Sequence, residues 1–233
     1  MSTVRAALCL VAAILLTGSA KTPPDAAEIV KRHIAAIGGA ERWQKVDSLL
    51  LKGSGPVGTF VWVWKSPNKV RTEERDDTSG KTLITATDGS TAWMSNPFRG
   101  PSAPRRMNQF ELRSWQTGLA MRSDLLDLPV KTSEVALVGQ EKLGNRQAYK
   151  LSVRRAGRED VTVWIDTQSF LLLQRAYTAI APWGAEETIP VVFSDYRSVD
   201  GVMIPHQIGS TRYTVDVNAE IGDALFQPPQ PLK

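Results

Sequence analysis

Few residues in this 233-residue chain have the type and spacing that chemistry needs. Histidine occurs only twice, as His33 and His206. A Ser-His-Asp triad would have to use one of them, and neither has a Gly-x-Ser-x-Gly partner in the sequence. His33 falls among apolar residues at helical spacing, and His206 follows Ile204-Pro205 at the start of a strand pattern. Both read as structural residues. A metal site draws on several His, Cys or carboxylates close together, and no such cluster stands in the sequence, so neither metal nor cofactor is expected. Gly53-Ser-Gly55-Pro-Val-Gly58 matches G-x-G-x-x-G, but a dinucleotide loop must open a helix so that its amides point at phosphate. Here the run leads into the alternating stretch 59–65, and Pro56 has no amide hydrogen, so it reads as a hairpin loop. The acidic pairs Glu73-Glu74, Asp76-Asp77, Glu159-Asp160 and Glu186-Glu187 lie near predicted strand ends. Adjacent residues of a strand point to opposite faces, so these read as solvated hairpin tips rather than paired catalytic carboxylates. No catalytic residue is assigned, and the chain is expected not to be an enzyme.

Binding chemistry is better represented. Seven tryptophans occur, and Trp62 and Trp64 share a strand face with Phe60. An apolar cavity is expected from Phe60, Trp62, Trp64, Trp93, Phe110, Trp115 and Leu119. A buried acyl chain of about sixteen methylenes would contribute roughly 13 kcal/mol gross there, at ~0.8 per CH₂. Arg99, Arg105 and Arg106 cluster in one loop and form a candidate rim for anionic head groups. The net charge of +4 is mild and excludes dedicated nucleic-acid binding.

The elements that must position these residues follow from periodicity. Pro23-Pro24-Asp25 starts a helix, with Glu28 three residues past the cap as in a capping box. Ala26, Ile29, Val30, His33, Ile34 and Ile37 give it one apolar face, and Gly38-Gly39 ends it. Ala40 to Lys45 has room for one short turn. From Ser48 the period is two. Strands are expected over 48–53, 59–65, 69–75, 82–87 and 91–95, then a Pro- and Arg-rich loop over 96–106, then a helix over 107–128. Strands resume over 134–143, 147–154, 160–165, 170–177, 188–198, 202–208 and 212–217. The fold class is α+β: a single strongly curved antiparallel sheet, an incomplete β-barrel of about 11–12 strands, with helices covering the concave face.

Residues 1–20 have the layout of a cleavable secretion signal: Arg5, an apolar run from Ala6 to Leu16, then the small residues Gly18 and Ala20. The run is too short to span a bilayer, which takes about 20 residues. The single cysteine, Cys9, lies inside it, so the mature chain has no disulfide and no acylated cysteine anchor. The remainder, 21–233, is expected to be one domain, periplasmic, with no stable membrane anchor after cleavage.

Several stretches, in order, resemble one family. Ile34-Ala-Ala-Ile-Gly-Gly-Ala-Glu-Arg-Trp-Gln-Lys-Val-Asp-Ser-Leu49 is similar to the helix-to-first-strand passage of outer-membrane lipoprotein-sorting proteins of the LolA/LolB-like superfamily. Asp88-Gly-Ser-Thr-Ala-Trp93 resembles their hairpin, and Trp164-Ile-Asp-Thr-Gln-Ser-Phe-Leu171 their strand–turn–strand element. Asp195 to Pro205 resembles the late hairpin, and Val215 to Phe226 the closing strand. The resemblance implies a half-barrel with an apolar cavity, working as a periplasmic carrier or sensor of lipids or lipoproteins. The implied partners are acyl chains and an envelope membrane-protein complex. An adaptor of the same fold with a packed core is the alternative. A hydrolase on this scaffold would instead show a polar cluster around His33 or His206 inside a cleft.

Overall fold

The structure, a computed structural model, describes residues 24–100, 103–118, 122–126, 134–154, 160–180, 186–229 and 232. The signal expected over 1–20 and the candidate Leu119 lie outside the described residues. Helix α1 spans Ala26–Ala36. Asp25 accepts the Glu28 amide at 2.8 Å, satisfying one of the free N–H groups of the first turn. The reciprocal half of the expected box is absent, because the Glu28 carboxylate takes Arg32 Nε at 2.6 Å instead. Ile29, Val30 and His33 form the buried stripe. Gly38 and Gly39, both at positive φ, turn the chain into the short α2 (Ala40–Trp43).

Five strands follow: β1 (Ser48–Gly55), β2 (Gly58–Lys65), β3 (Lys69–Asp76), β4 (Thr82–Thr87) and β5 (Ala92–Ser95). A two-residue β6 (Arg105–Arg106) and helix α3 (Gln109–Gly118) come next. The second half holds β7 (Val135–Leu143), β8 (Arg146–Val153), β9 (Val161–Asp166), β10 (Leu172–Ile180), β11 (Glu186–Val199), β12 (Val202–Ile208) and β13 (Thr211–Val217). A 3₁₀ turn, Asp223–Phe226, closes the chain.

All thirteen strands form one antiparallel sheet, in the order β6-β5-β4-β3-β2-β1-β13-β12-β11-β10-β9-β8-β7. The sheet is open, with β6 and β7 at its two ends. Two expectations need correction. The strand count is 13 rather than 11–12, because the loop over 96–106 ends in β6, which pairs Arg106 with Trp93 and Arg105 with Met94. Proline and arginine masked this extension in the sequence. Of the helix expected over 107–128, the described residues hold α3, Gln109–Gly118, while 119–121 and 127–128 lie outside them. Over 122–126 the chain turns instead, and Ser123 Oγ accepts the Leu125 amide at 3.3 Å, a local bond that competes with helix.

Two irregularities shape the second half. Strand β11 changes partner along its length. Its residues 186–192 pair with β10, and its residues 193–199 pair with β12. In β10, the pairing steps from Leu172↔Ile165 to Gln174↔Trp164, so Leu173 is an extra residue. After this bulge Arg175 stands opposite Val163. Val163, Ile165 and Leu172 all belong to the main core, whereas Trp164 and Leu173 belong to a small separate cluster on the other face. The bulge therefore puts Arg175 on the core side. The main core joins Ile29 and Val30 of α1 to Leu49, Leu51, Trp64, Leu151, Val163 and Ile204 of the sheet.

Candidate functional site

A pocket opens where β11 changes partner. Its walls are Ile37 of α1, Trp43 of α2, Leu172 and Arg175 of β10, Phe193 and Tyr196 of β11, and Met203 and Pro205 of β12. His33, Arg122, Ser123 and Asp124 complete it. The stagger accounts for its place: β10 and β12 meet β11 over different stretches, so a gap is left between Leu172 and Tyr196. The Tyr196 hydroxyl bridges that gap, donating to the Leu172 carbonyl at 2.9 Å. The enclosed volume is about 30 Å³. That is room for two or three waters, or for one small polar group.

The polar groups are strongly buried. His33 is 1% exposed. Its Nδ1 lies 2.8 Å from the Phe170 carbonyl, which can only accept, so Nδ1 carries the proton. Nε2 then accepts the Ser123 hydroxyl, at 2.8 Å. Burial holds the His33 pKa down to about 4, against a partial upward pull from the Phe170 hydrogen bond, so the ring is neutral at pH 7.

Arg175 is also 1% exposed. Its Nε donates to Asp124 Oδ2 at 2.5 Å, and its guanidinium carbon lies 5.3 Å from the Tyr177 ring centre. Nη1 and Nη2 are buried and have no hydrogen-bond partner. Arg122 sits over Trp64, 4.6 Å from the ring centre, and 6.0 Å from Trp43. Cation–π contact of this kind keeps a guanidinium stable in a partly dry setting. Trp43 itself is oriented by its Nε1 bond to the Ile37 carbonyl at 2.9 Å.

The structure distributes the sequence candidates over three places. Phe60, Trp62 and Trp64 do line one face of β2, opposite Gly53, Leu51 and Leu49 of β1 and Glu74, Thr72 and Val70 of β3. Phe60 and Trp62 are half-buried, and the Trp62 ring packs at a tilt of 44° against Tyr213, with ring centres 5.4 Å apart. Trp62 Nε1 is buried without a partner. Trp115 of α3 reaches this face, its Nε1 donating to Thr72 Oγ1 at 3.3 Å. Trp93 stands apart, fixed by its Nε1 bond to the Phe226 carbonyl at 2.8 Å. Phe110 is 53% exposed. Of the candidate rim, Arg105 is held in a two-pronged pair with Glu111, while Arg99 and Arg106 are exposed. None of the three arginines lines the pocket described above. His206 is buried with Nδ1 3.1 Å from the Ile204 carbonyl, outside that pocket.

Sequence reasoning did not find Arg175, Ser123, Asp124 or Tyr196. Arg175 follows Leu171-Leu172-Leu173-Gln174, and strict alternation from Leu172 would send it to the outer face. Only the bulge reverses that. Among the described residues no group of three or more His, Cys, Asp or Glu could hold a metal ion. No helix of the described residues is long and apolar enough to cross a membrane.

No family model matches the chain, and no curated protein does. Among solved structures the chain is similar to a LolA superfamily protein from Nitrosomonas europaea, at 13% identity and TM-score 0.45, over 88% of this chain and 98% of that one. It is similar also to a DUF1329 family protein from Desulfovibrio piger, at 13% identity and TM-score 0.41, over 88% and 98%. A third is MucB in complex with MucA(peri), at 14% identity and TM-score 0.27, over 87% of this chain and 59% of that one.

Proposed function

We propose that this protein is a non-enzymatic periplasmic carrier or sensor, which takes the acyl chain of a lipid or lipoprotein onto the inner face of a curled half-barrel, beneath its helices. The observation that carries this reading is the aromatic row Phe60, Trp62 and Trp64. It continues across the register into Leu51, Leu49, Tyr213 and Val215, and its outer members are only half-buried. An indole N–H enclosed without an acceptor at Trp62 marks unfinished packing there. Curvature is supported by α3, which lies against β10 and also, through Trp115, reaches β3. On a flat sheet those strands would stand about 29 Å apart, six spacings of ~4.8 Å. A ten-residue helix is only about 15 Å long.

The pocket beside α1 is too small for a chain, so a bound chain runs along the aromatic row and displaces the half-exposed α3. Arg122, stacked on Trp64, makes pocket and row neighbours. The Ser123–His33 pair has a hydrolase-like distance of 2.8 Å. Two features argue against catalysis. A general base works best with a pKa near the operating pH, and burial takes His33 to about 4. The group that orients the ring is a backbone carbonyl, which cannot stabilise an imidazolium as a carboxylate does.

The test is uptake of a fluorescent fatty acid by delipidated protein, with native mass spectrometry of protein taken from its own envelope. Saturable uptake with quenching of tryptophan emission is expected. Absence of lipid from the native preparation, together with no uptake, would sink the reading. An envelope adaptor is the second reading, favoured by Phe98 and Phe110, which are 49% and 53% exposed on either side of β6. Crosslinking from these two positions in whole envelopes would capture a membrane protein if the adaptor reading holds.

A further inference from the structure

The pocket beside α1 contains a cation whose hydrogen bonds are unfinished. Arg175 is almost wholly buried, yet Nη1 and Nη2 meet no acceptor. A guanidinium has five N–H donors in a planar fork, and leaving several of them dry and unpaired is costly. Natural folds keep such a group only where something completes it. Within this pocket Asp124 supplies one bond, at Nε. Among the described lining residues the charges are Arg122, Arg175 and Asp124, since His33 is neutral at pH 7. Two donors of the Arg175 guanidinium thus lie in a site of low dielectric with no acceptor.

The remaining walls are Ser123 and Tyr196, whose hydroxyls bond His33 and the Leu172 carbonyl, and the apolar Ile37, Trp43, Leu172, Phe193, Met203 and Pro205. None of them offers Nη1 or Nη2 of the arginine an acceptor. The free space, about 30 Å³, has room for a group of a few heavy atoms. A planar fork with two adjacent free donors fits two oxygens of one anion. We propose that Arg175 Nη1 and Nη2 bind a small oxyanion, a carboxylate or phosphate, that forms the head of the amphiphile. The anion enters first and lies deepest, and the tail leaves past Arg122 and Trp64 toward the aromatic row. This is the opposite polarity to a head group held at an exposed arginine rim. The inference rests on the chain-binding reading for the tail, but the anion site itself stands on Arg175 alone.

The bulge at Leu173 supports the assignment independently. It spends an extra residue in β10 to point Arg175 inward. Bulges re-aim side chains in this way next to functional sites.

The test compares dodecanoate, dodecyl phosphate, dodecanol, acetate and inorganic phosphate, each titrated into delipidated wild-type protein by calorimetry. Dodecanoate or dodecyl phosphate should bind about tenfold or more tighter than dodecanol, as a charge-assisted bidentate bond predicts. Arg175→Met should remove that preference, bringing dodecanoate and dodecyl phosphate to the affinity of dodecanol. Arg175→Lys, which retains charge without the fork, should restore only part of it. Should either variant not fold, the comparison of acid with alcohol on wild-type protein decides alone. Equal affinity for dodecanoate, dodecyl phosphate and dodecanol would overturn the anion site and leave chain binding standing. Saturable binding of acetate or phosphate with none of the long-chain probes would uphold the anion site and reject the chain. Binding of no probe would overturn both.

Discussion

Single residues in this protein have environments that their sequence neighbours do not announce. His33 was legible as part of the apolar stripe of α1, because the spacing of Ile29, Val30, Ile34 and Ile37 fixes the stripe. Its partners were not, since Ser123 and Phe170 lie 90 and 137 residues away. Burial lowers the His33 pKa from 6.5 to about 4, with Arg122, Asp124, Arg175 and Tyr196 lining the same pocket. The unfolded chain therefore takes up a proton below 6.5, and the folded chain takes none until about 4. The stability that a neutral His33 contributes is full above the first value and lost as pH falls toward the second, by roughly 3 kcal/mol in total. Urea denaturation midpoints at a series of pH values should show this fall. His33→Gln, which keeps hydrogen-bonding capacity without titrating, should flatten that part of the difference between pH 7 and pH 4.

At the level of elements, the alternating pattern revealed twelve strands, and α1 with its cap at Asp25 was equally readable. What periodicity could not reveal were departures from regularity. Strand β6 is two residues long in a proline-rich loop, the bulge at Leu173 shows no sequence mark, and the helical pattern over 122–126 is overruled by the Ser123 turn. The join between α1 and the β11–β12 hairpin gives a sharp test. The Ile37 carbonyl accepts the Met203 amide at 2.9 Å, and Gly38 lies so close that an added Cβ would stand 2.5 Å from the Gly201 carbonyl oxygen. Gly38 also has φ +112. Gly38→Ala should therefore cost about 1–3 kcal/mol, read as a lowered thermal midpoint, because neither the helix end nor the hairpin backbone can give way freely. Gly39→Ala, with φ +90 but nothing within 4 Å, should cost less.

For the molecule as a whole, the sheet architecture was legible and the binding site was not. The aromatic row follows from alternation within β2, so it was found. The pocket arises from the partner change of β11, which is a relation among three strands, and no local pattern encodes it. That same partner change has a mechanical meaning. Strands β1 and β2 are matched through eight residue pairs, whereas β12 and β13 are matched only at Gln207↔Arg212 and Ile208↔Thr211. Beyond them, the ladder of β7 to β10 is tied to the rest through the single backbone of β11. Stiffness is thus uneven across the sheet. The seam between β12 and β13 is a compliant spine between two better-paired boards, and torque applied to the sheet would be relieved there first. Hydrogen exchange should register it: amides of 207–212 should exchange well before those of 48–55, and a bound chain should slow the former far more than the latter. In the carrier proposed above, an open sheet built this way would adjust its girth by flexing one spine, with every other hydrogen-bonded seam left closed.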